Sequence, residues 1–168
     1  MGEIKFRNAK LGDLPKIVEI YNSTVASRMV TADVEEVSVE SKQIWFEAHN
    51  SETRPLWIVK DPEGQTIGWV SFSSFHERTA YSGTVEVSIY LDKSCRGKGY
   101  GKTILQYCIE NAGKFKVNNL VALIFLHNEP SLKLFRYFGF EDWGMLPNVA
   151  VLDGIERSLV ILGKRIVA

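Results

Sequence analysis

The densest set of chemically useful groups in this chain is the run Arg96-Gly97-Lys98-Gly99-Tyr100-Gly101-Lys102. Glycines at 97, 99 and 101 let the backbone turn through conformations that a side chain would forbid, and they keep bulk away from the amides. Bare N–H groups at the mouth of a helix form a nest for an anion, and Arg96 and Lys98 add positive charge. A phosphate or pyrophosphate is the natural guest. Ahead of this loop stands Glu86, on the polar side of an alternating stretch, where a carboxylate in an apolar cleft would serve as a general base. The plainer reading of Glu86 is a strand carboxylate that is exposed or paired with Arg78. His76 and His127 titrate near neutrality and are further candidates for the same task. Arg28, Arg78 and Tyr81 suit a substrate carboxylate, with ordinary surface pairing as the alternative for the arginines.

These groups need elements to hold them. Thr84 to Leu91 alternates, with Val85, Val87, Ile89 and Leu91 on one side and Thr84, Glu86, Ser88 and Tyr90 on the other, so it reads as a strand with one apolar face. Beyond the glycine run, Ile104, Leu105, Cys108, Ile109 and Ala112 recur at helical spacing. The run is therefore a strand-to-helix turn. Upstream, Ile4 to Asn8 reads as a strand, and Ile17, Val18, Ile20 and Tyr21 form the stripe of a helix capped by Asp13, with Pro15 in its first turn. From Asn22 to Glu40 the pattern breaks up around Arg28, Met29 and Thr31, and long ordered connections are often binding loops. A second helix is expected over about Ser41 to His49, with Ile44, Trp45 and Phe46 inward.

Leu56 to Lys60 and Thr66 to Phe75 form an antiparallel pair around Asp61-Pro62-Glu63-Gly64, with Gly68 marking a bulge or a close backbone approach. Leu120 to Phe125 is apolar enough for a buried parallel strand. Asn128 to Phe138 makes a short helix that Gly139 ends. Phe140 to Met145 and Ser158 to Val167 supply the last strands, linked by Pro147 to Gly154. The order is βααββ followed by βαβαββ, an α/β (α+β) arrangement with a mixed central sheet of about seven strands and about four helices on its two faces.

Composition narrows the partners. A chain of 168 residues suffices for one compact domain, taken as 1–168. Lys plus Arg and Asp plus Glu number 20 each, which leaves no basic field for nucleic acid or an anionic membrane. The longest apolar run, Leu120 to Leu126, falls short of a membrane span, and Met1 to Phe6 does not read as a signal sequence. Cys95 and Cys108 show neither paired nor metal-ligand spacing. A cytoplasmic protein with a small local partner is expected.

Spacing then selects the guest of the loop. The dinucleotide pattern Gly-x-Gly-x-x-Gly fails, because Lys102 stands where the third glycine belongs. The Walker pattern is met at Gly101-Lys102-Thr103 but not at its opening glycine, which is Arg96. The pattern Arg/Gln-x-x-Gly-x-Gly/Ala is met in full by Arg96, Gly99 and Gly101, and it resembles the acetyl-coenzyme A loop of the GCN5-related N-acetyltransferase (GNAT) superfamily. A second signature of that superfamily follows in the right order at Asn128, Ser131, Leu134 and Gly139-Phe140. Thr84 to Tyr90, Arg78-x-x-Tyr81, Trp45-Phe46 and Gly139 to Gly144 resemble its phosphinothricin acetyltransferase-like branch, over nearly the whole chain.

The resemblance implies the GNAT fold, acetyl-CoA as cosubstrate, no metal, and direct transfer in a ternary complex. The acceptor it implies is the amino group of a small amino acid-like compound, of the phosphinothricin, methionine sulfone or methionine sulfoximine type, with the enzyme often a homodimer. By the same resemblance, Arg96 to Lys102 grip the pyrophosphate, main-chain groups of Ile89, Tyr90 and Leu91 pair with the pantetheine arm, and Asn128 holds the arm from the other side. Glu86 matches the glutamate of the branch and is the catalytic base, directly or through a water. One departure stands out: many members carry Tyr seven residues after the Asn, where this chain has Phe135. Tyr137 is the alternative coenzyme contact or proton donor, with core packing as its plainer role. The rival reading is a non-catalytic acyl-CoA sensing or binding domain on the same fold. A P-loop phosphotransferase is a third, which Arg96 argues against.

Overall fold

Alternation along the strands sends apolar side chains to both sides of one sheet. The computed structural model describes residues 2–166. Among them the strands are β1 (Lys5–Asn8), β2 (Leu56–Lys60), β3 (Thr66–Ser74), β4 (Thr84–Leu91), β5 (Asn119–Phe125), β6 (Glu141–Leu152) and β7 (Ile155–Arg165). They form a sheet in the order β1-β2-β3-β4-β5-β7-β6. The helices are α1 (Leu14–Val25), α2 (Gln43–Glu47), α3 (Tyr100–Asn111) and α4 (Glu129–Tyr137).

One face of the sheet presents Val70, Phe72, Val85 and Val87 to Ile104 and Leu105 of α3. The other presents Ile58 and Trp69 to Ile17 and Ile20 of α1, with Trp45 and Phe46 partly buried beside them. The Trp69 indole sits in this second core without penalty, because its Nε1 donates to the Ile17 carbonyl at 3.1 Å. Each such buried aliphatic or aromatic side chain contributes about 1.5–3 kcal/mol, so both helix pairs are clamped to the sheet. Among the described residues no helix is long and apolar enough to cross a membrane.

The feature that matters for function is where pairing stops. β4 and β5 are parallel through Thr84↔Asn119, Val85↔Leu120 and Glu86↔Val121, and their register ends there although both strands run on. Past Glu86 the sheet opens into a cleft.

Several expectations need correction. The first helix continues through Val25, because Thr24 and Val25 find buried positions that local pattern does not reveal. Asp13 stands at its N-cap but does not cap it; the carboxylate accepts from the Lys10 amide at 2.7 Å and from Arg7 at 2.7 and 2.8 Å. Ile44 faces solvent, 83% exposed, since a helix of five residues has only one inward side and Trp45 and Phe46 occupy it. The stretch Pro147 to Gly154 is not a link: β6 runs to Leu152, and its register shift between Leu146 and Ala150 absorbs the residues that looked like breakers. The turn is Asp153-Gly154, with φ of +52° and +75°, the geometry that a tight hairpin requires. Val167, included in the expected last strand, lies outside the described residues. Gly68 does mark a close approach, because a Cβ there would come within 2.5 Å of the Tyr90 carbonyl.

Candidate active site

Where β4 and β5 part, a cavity of about 630 Å³ runs from Glu86 to the glycine loop. Its walls are Glu86 to Leu91 of β4, Ala122 to Phe125 of β5, and Arg96 with Gly97. Gly97 and Gly99 have φ of +74° and +83°, with nothing within 4 Å of a notional Cβ. Glycine is needed there for conformation and leaves the amides open to a ligand. Gly99 is the N-cap of α3, so the loop delivers its N–H groups at the positive end of a twelve-residue helix. Gly101 differs: it lies inside α3, and a Cβ would sit 3.2 Å from Leu134 Cδ2, so its bareness lets α3 meet α4.

Arg96 donates from Nε and Nη2 to the Leu91 carbonyl at 3.3 and 3.2 Å, and from Nη2 to Ser23 Oγ at 3.4 Å. It ties the end of β4 to α1 at the edge of the cavity. Lys98 is exposed beside the loop, whereas Tyr100 is half-buried against the core. Lys102 Nζ lies over the Tyr137 ring at 4.5 Å from its centroid. Tyr137 is 68% exposed, which overturns core packing as its role; the aromatic of α4 that is buried and borders the cavity is Phe135.

A second cavity, of about 290 Å³, lies on the α1 and α2 side of the same strands. Its floor follows from register alone: Trp69↔Tyr90, Ser71↔Ser88 and Ser73↔Glu86 are cross-strand pairs, and steps of two keep all six on one face. Tyr21, Lys42 and Trp45 close it from above. Trp69 and Tyr90 stack at 4.6 Å, Trp45 meets Trp69 edge-on at 5.2 Å, and Tyr21 lies 5.2 Å from Tyr90. The Tyr21 hydroxyl hydrogen-bonds Asp33 and Thr31, and burial, then Asp33, pushes its pKa up to about 12.

Glu86, Ser88 and Tyr90 border both cavities. Burial holds the Glu86 carboxyl above the usual carboxylate range. The ion pairs among the described residues, Arg7–Asp13, Lys16–Glu19, Arg28–Asp153 and Arg136–Asp142, leave it out, so the pairing with Arg78 is not made.

The structure places the remaining candidates as follows. Arg28, at φ +58°, donates to Asp153 at 2.9 Å, to the Val34 carbonyl at 2.8 Å and to the Val25 carbonyl at 3.2 Å, and it borders neither cavity. Arg78 and Tyr81 are exposed in the connection between β3 and β4, also outside both cavities. Asn128 is buried and borders the larger cavity. His127 Nε2 donates to the Arg28 carbonyl at 2.7 Å, and His76 Nδ1 accepts from the Arg78 amide at 3.1 Å, so both histidines have local structural partners. Among the described residues no cluster of three or more His, Cys, Asp or Glu side chains could hold a metal ion.

Sequence reasoning missed Tyr21, Trp69, Ser71, Ser73 and His49. One signal was present: Ser71 and Ser73 alternate with Val70 and Phe72 in a strand whose Ser71 is 1% exposed. Small polar residues on a buried strand face mark a place where something polar is received.

A sheet that opens beside a helix-mouth nest, with an unpaired carboxylate between that cleft and a second cavity, has the form of a group-transfer enzyme that brings two substrates together. Residues 6–151 match the acetyltransferase (GNAT) domain, and the chain belongs to that family. It is an acetyltransferase. It is 48% identical over 95% of its length to 98% of the "Putative phosphinothricin acetyltransferase YwnH" of Bacillus subtilis. It is 34% identical over 85% of its length to 83% of the L-methionine sulfoximine/L-methionine sulfone acetyltransferase of Pseudomonas paraeruginosa. The solved structure of a GNAT superfamily phosphinothricin acetyltransferase from Sinorhizobium meliloti, in complex with acetyl-CoA, superposes with a TM-score of 0.88 at 28% identity. That match covers 96% of this chain and 88% of the other.

Proposed function

We propose that the protein transfers the acetyl group of acetyl-CoA to the amino group of a small amino acid-like compound, directly within a ternary complex. Phosphinothricin, methionine sulfone and methionine sulfoximine define the type, as the names of its relatives suggest. The observation that carries the reading is the position of Glu86 in the wall shared by the two cavities.

In this reading the larger cavity takes the cosubstrate. The amides of Gly97 to Gly101, with Arg96, Lys98 and Lys102 nearby, hold its diphosphate, and the main chain of Ile89 to Leu91 faces its pantetheine arm. Binding energy remote from the reaction thus aims the acyl group toward Glu86. Bound acetyl-CoA supplies an activated acyl group as a thioester. The amine enters by the smaller cavity, where Glu86 takes its proton directly or through a water. The free amine then bonds to the acyl carbon, the carbon–sulfur bond breaks and the thiolate leaves, and the nitrogen gives its surplus proton to water as the amide forms. Phe135 has no proton to give and Tyr137 stands on the exposed end of α4, so the thiolate is protonated by water.

Arg78 and Tyr81 are assigned to the substrate carboxylate, whereas the contacts of Arg28 argue for a structural role. A homodimer in the cytoplasm, with no nucleic-acid or membrane partner, completes the proposal. Balanced charge supports the last part, and the exposed Trp143, Met145, Val149, Val151 and Ile155 along β6 and β7 support a covered face.

Thiol release from acetyl-CoA, measured across amino acids including L-methionine sulfone, polyamines and amino sugars, tests the function. Release with amino acid-like amines is expected. Tight acetyl-CoA binding with no release for any amine would favour a sensing domain instead.

A further inference from the structure

The chemistry above uses Glu86, yet Ser73 stands beside it in the lining of the smaller cavity, with a histidine at its back. Ser73 is its cross-strand partner, and His49 lies behind Ser73. His49 Nδ1 is 2.8 Å from the Trp45 carbonyl. A carbonyl only accepts, so Nδ1 carries the ring proton. Nε2 of the neutral imidazole is then bare, and its 3.1 Å contact with Ser73 Oγ has one sense: the serine hydroxyl donates to the histidine. Burial lowers the pKa of this imidazole from its ordinary value, which favours that neutral form. A serine has one hydroxyl proton. With it directed at His49, Ser73 can offer a ligand only lone pairs.

We propose that His49 is a positioning residue for the acyl acceptor: it accepts the hydrogen bond of the Ser73 hydroxyl and so makes Ser73, beside Glu86, half of an all-acceptor cradle for a protonated primary amine. The inference rests on the acetyltransferase reading of Glu86. An ammonium group has three N–H donors, so it satisfies Glu86 and Ser73 and leaves one over for Ser71 Oγ, which is buried without a partner. An alcohol has a single proton and leaves at least one of these acceptors unmet, and a tertiary amine likewise brings one. The cradle therefore selects nitrogen over oxygen acceptors, and primary amines above all.

Ser73→Ala, His49→Phe and the double variant test this, with the amine that the thiol-release panel turns over fastest. Each single change is expected to raise the KM of that amine about tenfold, the loss of one hydrogen bond to a charged group, with kcat and the KM of acetyl-CoA nearly unchanged. The double variant should be no worse than either single one, because serine and histidine act as a unit. Nitrogen-15 NMR of the free protein reads the tautomer without any substrate: His49 Nε2 should resonate as an unprotonated acceptor and shift in Ser73→Ala. A protonated Nε2, an unmoved amine KM in Ser73→Ala, or additive losses in the double variant would each overturn the proposal. If His49→Phe does not fold, Ser73→Ala and the NMR measurement still decide. A panel with no active amine sinks the enzymatic reading and the cradle together, whereas the wrong tautomer sinks the cradle alone.

Discussion

Asn128 Nδ2 donates to the Met29 carbonyl at 3.1 Å while its Oδ1 accepts from the Ser131 amide at 3.3 Å, so one buried side chain joins the start of α4 to the loop after α1. Val30, Thr31 and Ala32 of that loop border the larger cavity. Asn128 thus shapes the cavity wall by holding the loop. Asn128→Ala should cost about 2 kcal/mol in urea unfolding, from a lost cap and a carbonyl left unpaired, and should raise the KM of acetyl-CoA several-fold. Asn128→Asp keeps the cap acceptor but not the donor and should fall between. Wild-type stability in Asn128→Ala would show that the loop is held without it.

Glu86→Gln should lower kcat by about a hundredfold or more while leaving acetyl-CoA affinity nearly unchanged. The working form is the carboxylate, so wild-type kcat/KM should rise with pH through a pKa above the ordinary Glu value, and the variant should lose that limb. The same burial has a stability sign. A folded-state pKa above the unfolded one means that the native state holds more protons between the two values, so this group destabilises the fold as pH rises through that window. Glu86→Gln should therefore melt higher than wild type at neutral pH, and the gain should vanish below the unfolded-state pKa. Near-normal turnover with saturating amine would remove Glu86 as the base.

Gly99 and Gly101 should respond differently to alanine. Gly99, at φ +83°, gains a Cβ in a left-handed conformation, which costs about 1–2 kcal/mol. Acetyl-CoA binding should weaken with it. Gly101 is helical, where alanine gains up to about 1 kcal/mol, offset by contact with the movable tip of Leu134 at 3.2 Å. Thermal melts and acetyl-CoA titrations of both variants would check the contrast; a larger loss at Gly101 would mean that α3 and α4 cannot give way.

Arg78 and Arg28 are separable by substrate. Arg78→Ala should raise the KM of carboxylate-bearing amines about tenfold and leave amines without a carboxylate unaffected, as the loss of a charged hydrogen bond requires. Equal losses for both kinds would remove this role. Arg28→Ala should instead lower the melting temperature without changing amine KM, because its guanidinium serves Val25, Val34 and Asp153.

Local chemistry made much of this protein legible. The boundaries of β2 match its short apolar run and those of β4 fall where alternation begins and ends, and the anion nest follows from three glycines ahead of a helical stripe, since these preferences act over a few neighbours. Local rules also misled. Pro147 and Asn148 carry the marks of a break, but a bulge opposite β7 takes them in, and Ile44 shares its apolarity with two neighbours on a helix with room for two inward.

By itself the sequence determined the strand-to-helix turn, the two signatures of the acetyltransferase family, and the residue type at position 86. Only the tertiary structure decided that β4 and β5 separate after Glu86↔Val121, that one carboxylate stands between two cavities, and that His49 meets Ser73. Those facts depend on strand register and on contacts between residues far apart in the chain, which no local preference encodes.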